Sequence, residues 1–345
     1  MRILISSHVF SPSIGGIESC SLALAQAFYR AGHEVQIVTQ TPSNDPENDH
    51  GFKVCRRPTH RILIHKILWC DIFFHNNISL QTAWPLVFIR RPWIVTTATW
   101  LRKPDGTVGI AERSKRWLLR FATNIYISNA IQTHVGYEGF VVPNPYDSET
   151  FQRIHGVEKN LSLAFLGRLV SDKGCDLLIH SLSLLRDTGL SVPLTIIGSG
   201  PEENELKKLA AILKLDGLIR FAGALKGKAL AQELNRHKAL VVPSRWEEPF
   251  GVVALEGIAC GCLVVGSSAG GLSDAIGKCG ITFKNGDATD LARSIRKILE
   301  SHEHREHNGV VSDHLHRHRA EVVAERYLRI FEHLFRDGHN AAFKC

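Results

Sequence analysis

The sequence predicts an α/β protein of two Rossmann-like domains facing a cleft, each a parallel sheet covered by helices. Three observations carry that expectation. Short apolar runs alternate with helical periodicity along nearly the whole chain, the pattern of parallel strands buried on both faces. A length of 345 residues exceeds one ordinary domain and makes two the natural count. Finally, VVPNPYDSETF, residues 141–151, interrupts regular structure with prolines on either side of Asn144.

In the first half, apolar runs at 2–5, 35–38, 71–74, 93–96, 125–127 and 140–142 have the length of buried strands. Periodic stretches such as Glu18 to Arg30 supply the helices between them. A second series places strands near 162–166, 194–197, 218–221, 239–242, 263–266 and 280–283. Helices near 175–186, 203–214, 252–260 and 288–300 fit between these. The expected domains are 1–155 and 156–320, followed by residues 321–345 with a final helix at about 320–336.

Hydrophobic residues make up 44% and charged residues 22% of the chain, as in ordinary globular proteins. No run reaches the ~18–20 apolar residues of a membrane span. MRILISSHVF reads as a first buried strand, because its apolar part is too short for a signal peptide. Eight cysteines include no Cys-x-x-Cys, and only Cys260 and Cys262 are close. Reduced thiols and a cytoplasmic location, at most peripheral at the inner face of a membrane, are expected. The net charge of +7 is concentrated: Lys53 to Arg120 holds thirteen Lys or Arg against three Asp or Glu. Nucleic acid is not the expected partner, since interleaved aromatic and RNA-binding motifs are missing. Anionic membrane lipid is the alternative. AERSKRWLLRFA, residues 111–122, fits an interfacial helix or equally a helix packing its apolar stripe on a sheet.

The most informative stretch is PSRWEEPFGVVALEGIACG, residues 243–261. It follows an apolar strand, so the unit is strand, tight loop and helix, where doubly wound sheets bind ligands. Glu248 and Glu256 stand eight residues apart. On a continuous helix that spacing advances about 12 Å and returns within about 80° of the starting face. Paired glycosidase carboxylates sit closer, about 5–9.5 Å apart, so the pair suits gripping both ends of an elongated polar ligand. In LSLAFLGRLVSDKGCDLLI, residues 161–179, a strand ends at Gly167, Arg168 and Lys173 occupy the loop, and Gly174 leads into a helix. Two cations beside a helix start form an anion site. IIGSGPEENEL, residues 196–206, carries Gly198 and Gly200 but fails the dinucleotide fingerprint, because Glu203 replaces the third glycine. Near the N-terminus FSPSIGGIES brings Pro12, Gly15, Gly16 and Glu18 between a strand and a helix, a loop that lets backbone N–H groups approach phosphate or sugar oxygens.

Together these stretches resemble the retaining glycosyltransferases of the GT-B fold in family 4, also called glycosyl transferases group 1. The resemblance implies transfer of a sugar from a nucleotide-sugar donor to an acceptor hydroxyl, with retention and without a bound metal or other cofactor. Glu256 would hold the donor ribose, while Glu248, Phe250, Gly251 and Val252 would lie at the donor sugar and helix start. Gly167, Arg168 and Lys173 would neutralise the diphosphate, whose charge grows as it leaves. Gly198 and Gly200 would lie near the nucleotide, Phe221 in the segment Arg220 to Gly223 would frame the base, and Ser267 to Gly271 would close another side. Gly15 and Gly16 would face the diphosphate across the cleft, and the final helix would cross back to the first domain. The acceptor is expected to be a sugar or a lipid-linked or polysaccharide intermediate. One departure stands out: IVTTATWLRKPDG, residues 94–106, carries Thr97 where many members have a histidine. His75 is the other acceptor-side candidate, with a structural histidine as the plainer reading. Alternatives are an epimerase or phosphorylase on the same fold, and a non-catalytic sugar or lipid binder. The cluster of His302, His304, His307, His314, His316 and His318 lacks a matching cysteine pattern and is expected on a solvated surface, with no metal.

Overall fold

The computed structural model describes residues 1–13, 15–43, 50–103, 105–300 and 308–342. The chain forms two units, Met1–Pro145 with His318–Cys345 and Tyr146–Arg317. The division falls about ten residues before the boundary expected at 155. Phe151 is already buried, and Ile154 N donates to Asn235 Oδ1 at 2.8 Å in the second unit.

In the first unit the order is β1 (Arg2–Ser6), α1 (Gly16–Arg30), β2 (Glu34–Thr39), β3 (Lys53–Arg56), α2 (His60–Trp69), β4 (Ile72–Asn76), α3 (Leu80–Ala83), β5 (Trp93–Thr97), α4 (Ile110–Leu118), β6 (Thr123–Tyr126), α5 (Asn129–Val135) and β7 (Phe140–Val141). All strands pair in parallel, in the order β3-β2-β1-β4-β5-β6-β7. The apolar runs became β1, β2, β4, β5, β6 and β7. Strand β3 escaped the sequence reading because KVCR sits at the sheet edge with no residue fully buried, so no apolar run marks it.

The second unit runs β8 (Leu161–Leu166), α6 (Cys175–Asp187), β9 (Leu194–Ile197), α7 (Glu203–Ile212), β10 (Ile219–Gly223), α8 (Gly227–Asn235), β11 (His237–Val242), α9 (Val252–Ala259), β12 (Leu263–Ser267), α10 (Leu272–Ile276), β13 (Gly280–Phe283), α11 (Ala288–Glu300) and α12 (Asn308–Arg317). Its parallel sheet has the order β10-β9-β8-β11-β12-β13. Strands β8 and β11 are neighbours in space but far apart in sequence, with Leu240 opposite Ala164 and Val241 opposite Phe165. The chain therefore winds in opposite directions on either side of this pair, and such a switch point opens a crevice at the strands' C-terminal ends.

The last helix, α13 (Ala320–Ala342), returns to the first unit. Tyr327 and Phe331 are buried among Phe28 and Phe74, with ring centroids 5.4 Å apart for Phe74–Tyr327 and 5.5 Å for Phe28–Phe331. The Tyr327 hydroxyl lies 3.0 Å from Thr96 Oγ1, so its one polar atom is satisfied in the core. Helix α4 has no buried residue. Leu119, in the turn that follows it, is fully buried, whereas Ile110 and Trp117 on the helix are exposed. No helix among the described residues is long and apolar enough to cross a membrane.

Candidate active site

At the switch point of the second sheet, the loops after β8 and β11 lock together. The first ends in the 3-10 turn Ser171–Lys173, capped by Gly174 at φ 66. A Cβ on Gly174 would lie 2.1 Å from the Pro243 carbonyl oxygen, so only glycine allows this approach. From the second loop, Arg245 N and Trp246 N donate to Asp172 O at 2.8 and 3.1 Å. Arg245 also grips Asp176, Nη2 to Oδ2 at 2.7 Å. Burial alone would raise the Asp176 carboxyl, but Arg245 outweighs it and holds the carboxyl below its usual range.

This framework brings the predicted residues Lys173 and Glu248 into contact. Lys173 Nζ donates to Glu248 Oε1 at 2.6 Å, and Ser244 Oγ donates to the same oxygen at 2.7 Å. Both charged side chains are half-buried, 24% and 15% exposed, so water screens the pair less than it would at the surface. The Glu248 backbone is fixed from a third side. Glu248 pairs with Gly270 as an isolated parallel bridge, and Gly271 N donates to Glu248 O at 2.7 Å. Gly270 sits at φ 72, where an added Cβ would meet the Glu248 carbonyl oxygen at 2.4 Å. The paired glycines thus serve backbone packing against the glutamate.

Glu248 does not stand on α9. Helix α9 begins at Val252, after buried Phe250 and after Gly251 at φ 102. The expectation that both glutamates share a helix edge is therefore corrected: Gly251's left-handed backbone and the Glu248–Gly270 bridge keep the preceding residues out of the helix. Glu256 lies on α9 itself. Its carboxyl is pushed up to about 7, first by burial and then by repulsion from Asp147. Among the described residues no group donates a hydrogen bond to this carboxylate. Arg168 is exposed on the loop after β8, and among the described residues it forms no ion pair. A free guanidinium, a half-buried ammonium and an unpartnered carboxylate thus sit on the loops and helix of one switch point.

Gly198 and Gly200 have a structural reason to lack side chains. A Cβ on Gly198 would fall 1.9 Å from Gly167 O, and one on Gly200 would fall 2.3 Å from Leu169 O. They let the loop after β9 lie against the loop that carries Arg168. Phe221 on β10 is partly buried, with Lys207 Nζ 5.2 Å from its ring centroid. Arg220 is occupied by Glu233 and donates to Thr195 Oγ1 at 3.2 Å. Ser267 Oγ is buried and finds no partner among the described residues.

In the first unit, Gly15 caps the start of α1 and faces the Glu18 carboxylate, which would lie 2.5 Å from an added Cβ. Gly16 is exposed with nothing within 4 Å of a Cβ. Thr97 ends β5 fully buried, and its hydroxyl has no partner among the described residues. His75 is corrected to a core residue. Trp93 Nε1 can only donate, so His75 Nδ1 accepts its hydrogen bond at 2.8 Å. That fixes the ring proton on Nε2, which donates to Thr82 Oγ1 at 2.9 Å. Burial pushes its pKa down to about 3, so the ring is neutral and both nitrogens are used.

The histidine cluster also departs from the expected solvated surface. His302, His304 and His307 lie outside the described residues. His314 and His318 are buried, and His314 Nε2 donates to Ala275 O at 2.8 Å beneath Gly277. Among the described residues no three His, Cys, Asp or Glu gather as a metal site requires. Sequence reasoning missed Ser244 and Asp147. A small polar residue directly after a buried strand was the available signal for Ser244, whereas Asp147 reaches Glu256 only through tertiary packing.

Comparisons with known proteins agree on what such a chain is. Residues 147–309 match the model of the family described as glycosyl transferases group 1. A glycogen synthase of Mycobacterium tuberculosis is 37% identical over 358 aligned positions, covering 87% of this chain and 86% of that protein. A D-inositol 3-phosphate glycosyltransferase of Pseudarthrobacter chlorophenolicus is 35% identical over 43% of this chain and 37% of its own length. Among solved structures, Anabaena HepE in complex with UDP and glucose superposes with TM-score 0.77 at 21% identity, over 96% of this chain and 99% of that one. Sucrose-phosphate synthase from Thermosynechococcus elongatus gives TM-score 0.80 at 19% identity, over 97% and 99%. These two likenesses establish the fold, two parallel-sheet α/β domains of the GT-B kind. With a relative 37% identical along most of both chains and the family model spanning the unit that holds Lys173, Glu248 and Glu256, the chain belongs to the glycosyl transferases group 1 family.

Proposed function

We propose that this protein moves a sugar from a nucleotide-sugar donor to an acceptor hydroxyl, retaining the anomeric configuration and using no bound metal. The observation that carries the reading is the meeting of Lys173, Ser244 and Glu248 at the switch point, with unpaired Arg168 on the same loop. Arg168 and Lys173 take the donor diphosphate, and they stabilise the charge that builds as the sugar departs. Glu256 accepts hydrogen bonds from the ribose hydroxyls, which its unpartnered carboxylate suits. The first N–H groups of α9, after Gly251, are open to a sugar or phosphate oxygen. Glu248 positions the donor sugar and supports its developing positive charge, without forming a covalent bond to it. The departing phosphate oxygen accepts the proton of the attacking hydroxyl.

HepE's complex with UDP and glucose supports a nucleotide-sugar as donor, and the acceptor is a saccharide or a lipid-linked intermediate of polysaccharide assembly. The reading is tested with purified protein, UDP-, GDP- and ADP-sugars, and mass-spectrometric detection of transfer or donor hydrolysis. Turnover of one donor with the anomeric configuration preserved supports it. Unchanged calorimetric affinity for every nucleoside diphosphate in both Arg168→Ala and Glu256→Ala would falsify the site assignment.

A further inference from the structure

The first unit exposes a surface that its sheet does not use. A cavity of about 340 Å³ separates the turn Trp84–Val87 and the segment after it from α4 and the turn Leu119–Phe121. Leu86, Val87 and Ile89 line one side, and Trp117, Leu118 and Phe121 line the other. Two of the lining aromatic residues stand in water, Phe121 64% and Trp117 54% exposed, and Phe88, between the lining residues Val87 and Ile89, is 81% exposed. Ile110 and Trp117 lie seven residues apart on α4, so they share a face, and Ile110 is exposed as well. Contiguous apolar exposure of this kind marks an interaction surface.

Charge identifies the occupant. Arg90 and Arg91 border the cavity, and Arg113, Lys115, Arg116 and Arg120 lie on α4 and the turn after it. Among the described residues none of these six cations forms an ion pair. Arg91 and Arg116 donate to backbone carbonyls, and Arg120 Nε donates to the Tyr137 hydroxyl. Their positive charge therefore remains uncompensated. A second copy docked face to face would set these cations against their own kind. A bilayer with anionic headgroups offers hydrocarbon to the aromatic residues and dense negative charge to the arginines.

We propose that this face docks on an anionic lipid bilayer, with Phe88, Trp117 and Phe121 entering the acyl region and one hydrocarbon chain seated in the cavity. Arg90, Arg91 and Arg120 meet the headgroup phosphates. This inference is independent of the sugar-transfer reading, because its test measures binding alone.

The test is flotation of the full chain with phosphatidylglycerol or phosphatidylcholine vesicles, at roughly 50 mM and roughly 500 mM salt. Binding is expected on the anionic vesicles at low salt, weakening about tenfold or more at high salt, with little binding to phosphatidylcholine. Phe88→Ser with Phe121→Ser should weaken it about tenfold while leaving the thermal melt unchanged. Phe88→Ser alone, at the most exposed of the three positions, serves if the double variant melts early. Brominated acyl chains should quench fluorescence strongly in the protein and less in Trp117→Phe, in which Trp93 still lines the cavity. No binding to phosphatidylglycerol at low salt, or equal binding by the Phe88 variants, overturns the proposal. So does a dimer that dissociates in the Phe88→Ser variant while vesicles are ignored, which would assign the face to a second copy.

Discussion

Lys173 and Glu248 hold each other across two loops 75 residues apart in sequence, with Nζ 2.6 Å from Oε1. A donor diphosphate bound at Lys173, as proposed, would compete with Glu248 for the same ammonium. Lys173→Met should therefore weaken nucleoside diphosphate binding about tenfold to a hundredfold, matching ~1.5–3 kcal/mol for a hydrogen bond to a charged group. Glu248→Gln keeps the side chain's shape and an oxygen for Ser244 while removing the charge that holds the lysine. It should lower turnover and leave diphosphate affinity equal or tighter. Calorimetry and initial rates on both variants check the pair, and a Glu248→Gln protein with normal turnover would contradict the assigned role.

Glu256 should couple donor binding to pH. With its carboxyl near pKa 7, about half of the free protein carries a proton there at neutral pH, and ribose hydroxyls bound as proposed would favour the ionised form. Affinity should rise between about pH 6 and pH 8, with proton release. Calorimetry in buffers of different ionisation enthalpy measures that release, and Glu256→Gln should abolish it.

The same group makes a prediction for stability, with the opposite sign. A carboxyl raised from about 4.5 to about 7 on folding binds more protons in the folded state within that window. Its contribution to stability is thus lost as pH rises from about 4.5 to about 7. Above pH 7, Glu256→Gln should be more stable than the parent by about 1–3 kcal/mol in urea unfolding, with no difference below about pH 4.5.

Two glycines should behave oppositely. Gly198→Ala places a Cβ 1.9 Å from Gly167 O at φ 151 and should cost about 2–4 kcal/mol of stability. Gly16→Ala meets nothing within 4 Å and should fold as well as the parent. If a donor phosphate or sugar approaches Gly16, that variant loses nucleotide-sugar affinity without losing stability. A thermal melt beside a binding isotherm separates the two effects.

His75 should not titrate between about pH 5 and pH 8, because burial holds its pKa at about 3. Ring resonances followed by NMR should stay at their neutral positions through that range. A midpoint near 6.5 would show that the ring is hydrated and reopen it as an acid–base group.

The residues that were legible from sequence share a physical property: each lies on a local pattern that one segment completes. Buried strands such as β8 and β11 are continuous apolar runs, and Pro249 with Gly251 marks the loop before α9 without reference to the rest of the chain. Strand β3 was illegible because its burial is partial. The position of Glu248 off the helix depends on Gly270, and the pKa of Glu256 depends on Asp147. Both are contacts between segments that no periodicity encodes. His314 and His318 mislead for the same reason, since a polar-looking segment buries two of its histidines through tertiary packing.

The return of α13 to the first unit has a consequence for biosynthesis. Phe28 and Phe74 gain their partners Tyr327 and Phe331 only when the last tenth of the chain exists. On a ribosome adding about 5–20 residues per second, the intervening Tyr146–Arg317 unit takes roughly 10–35 s to emerge. The second unit is contiguous and can fold during that interval, whereas the first must wait with an open aromatic core. The domain translated first is thus the one completed last, and chaperone demand should fall on its nascent, unfinished form.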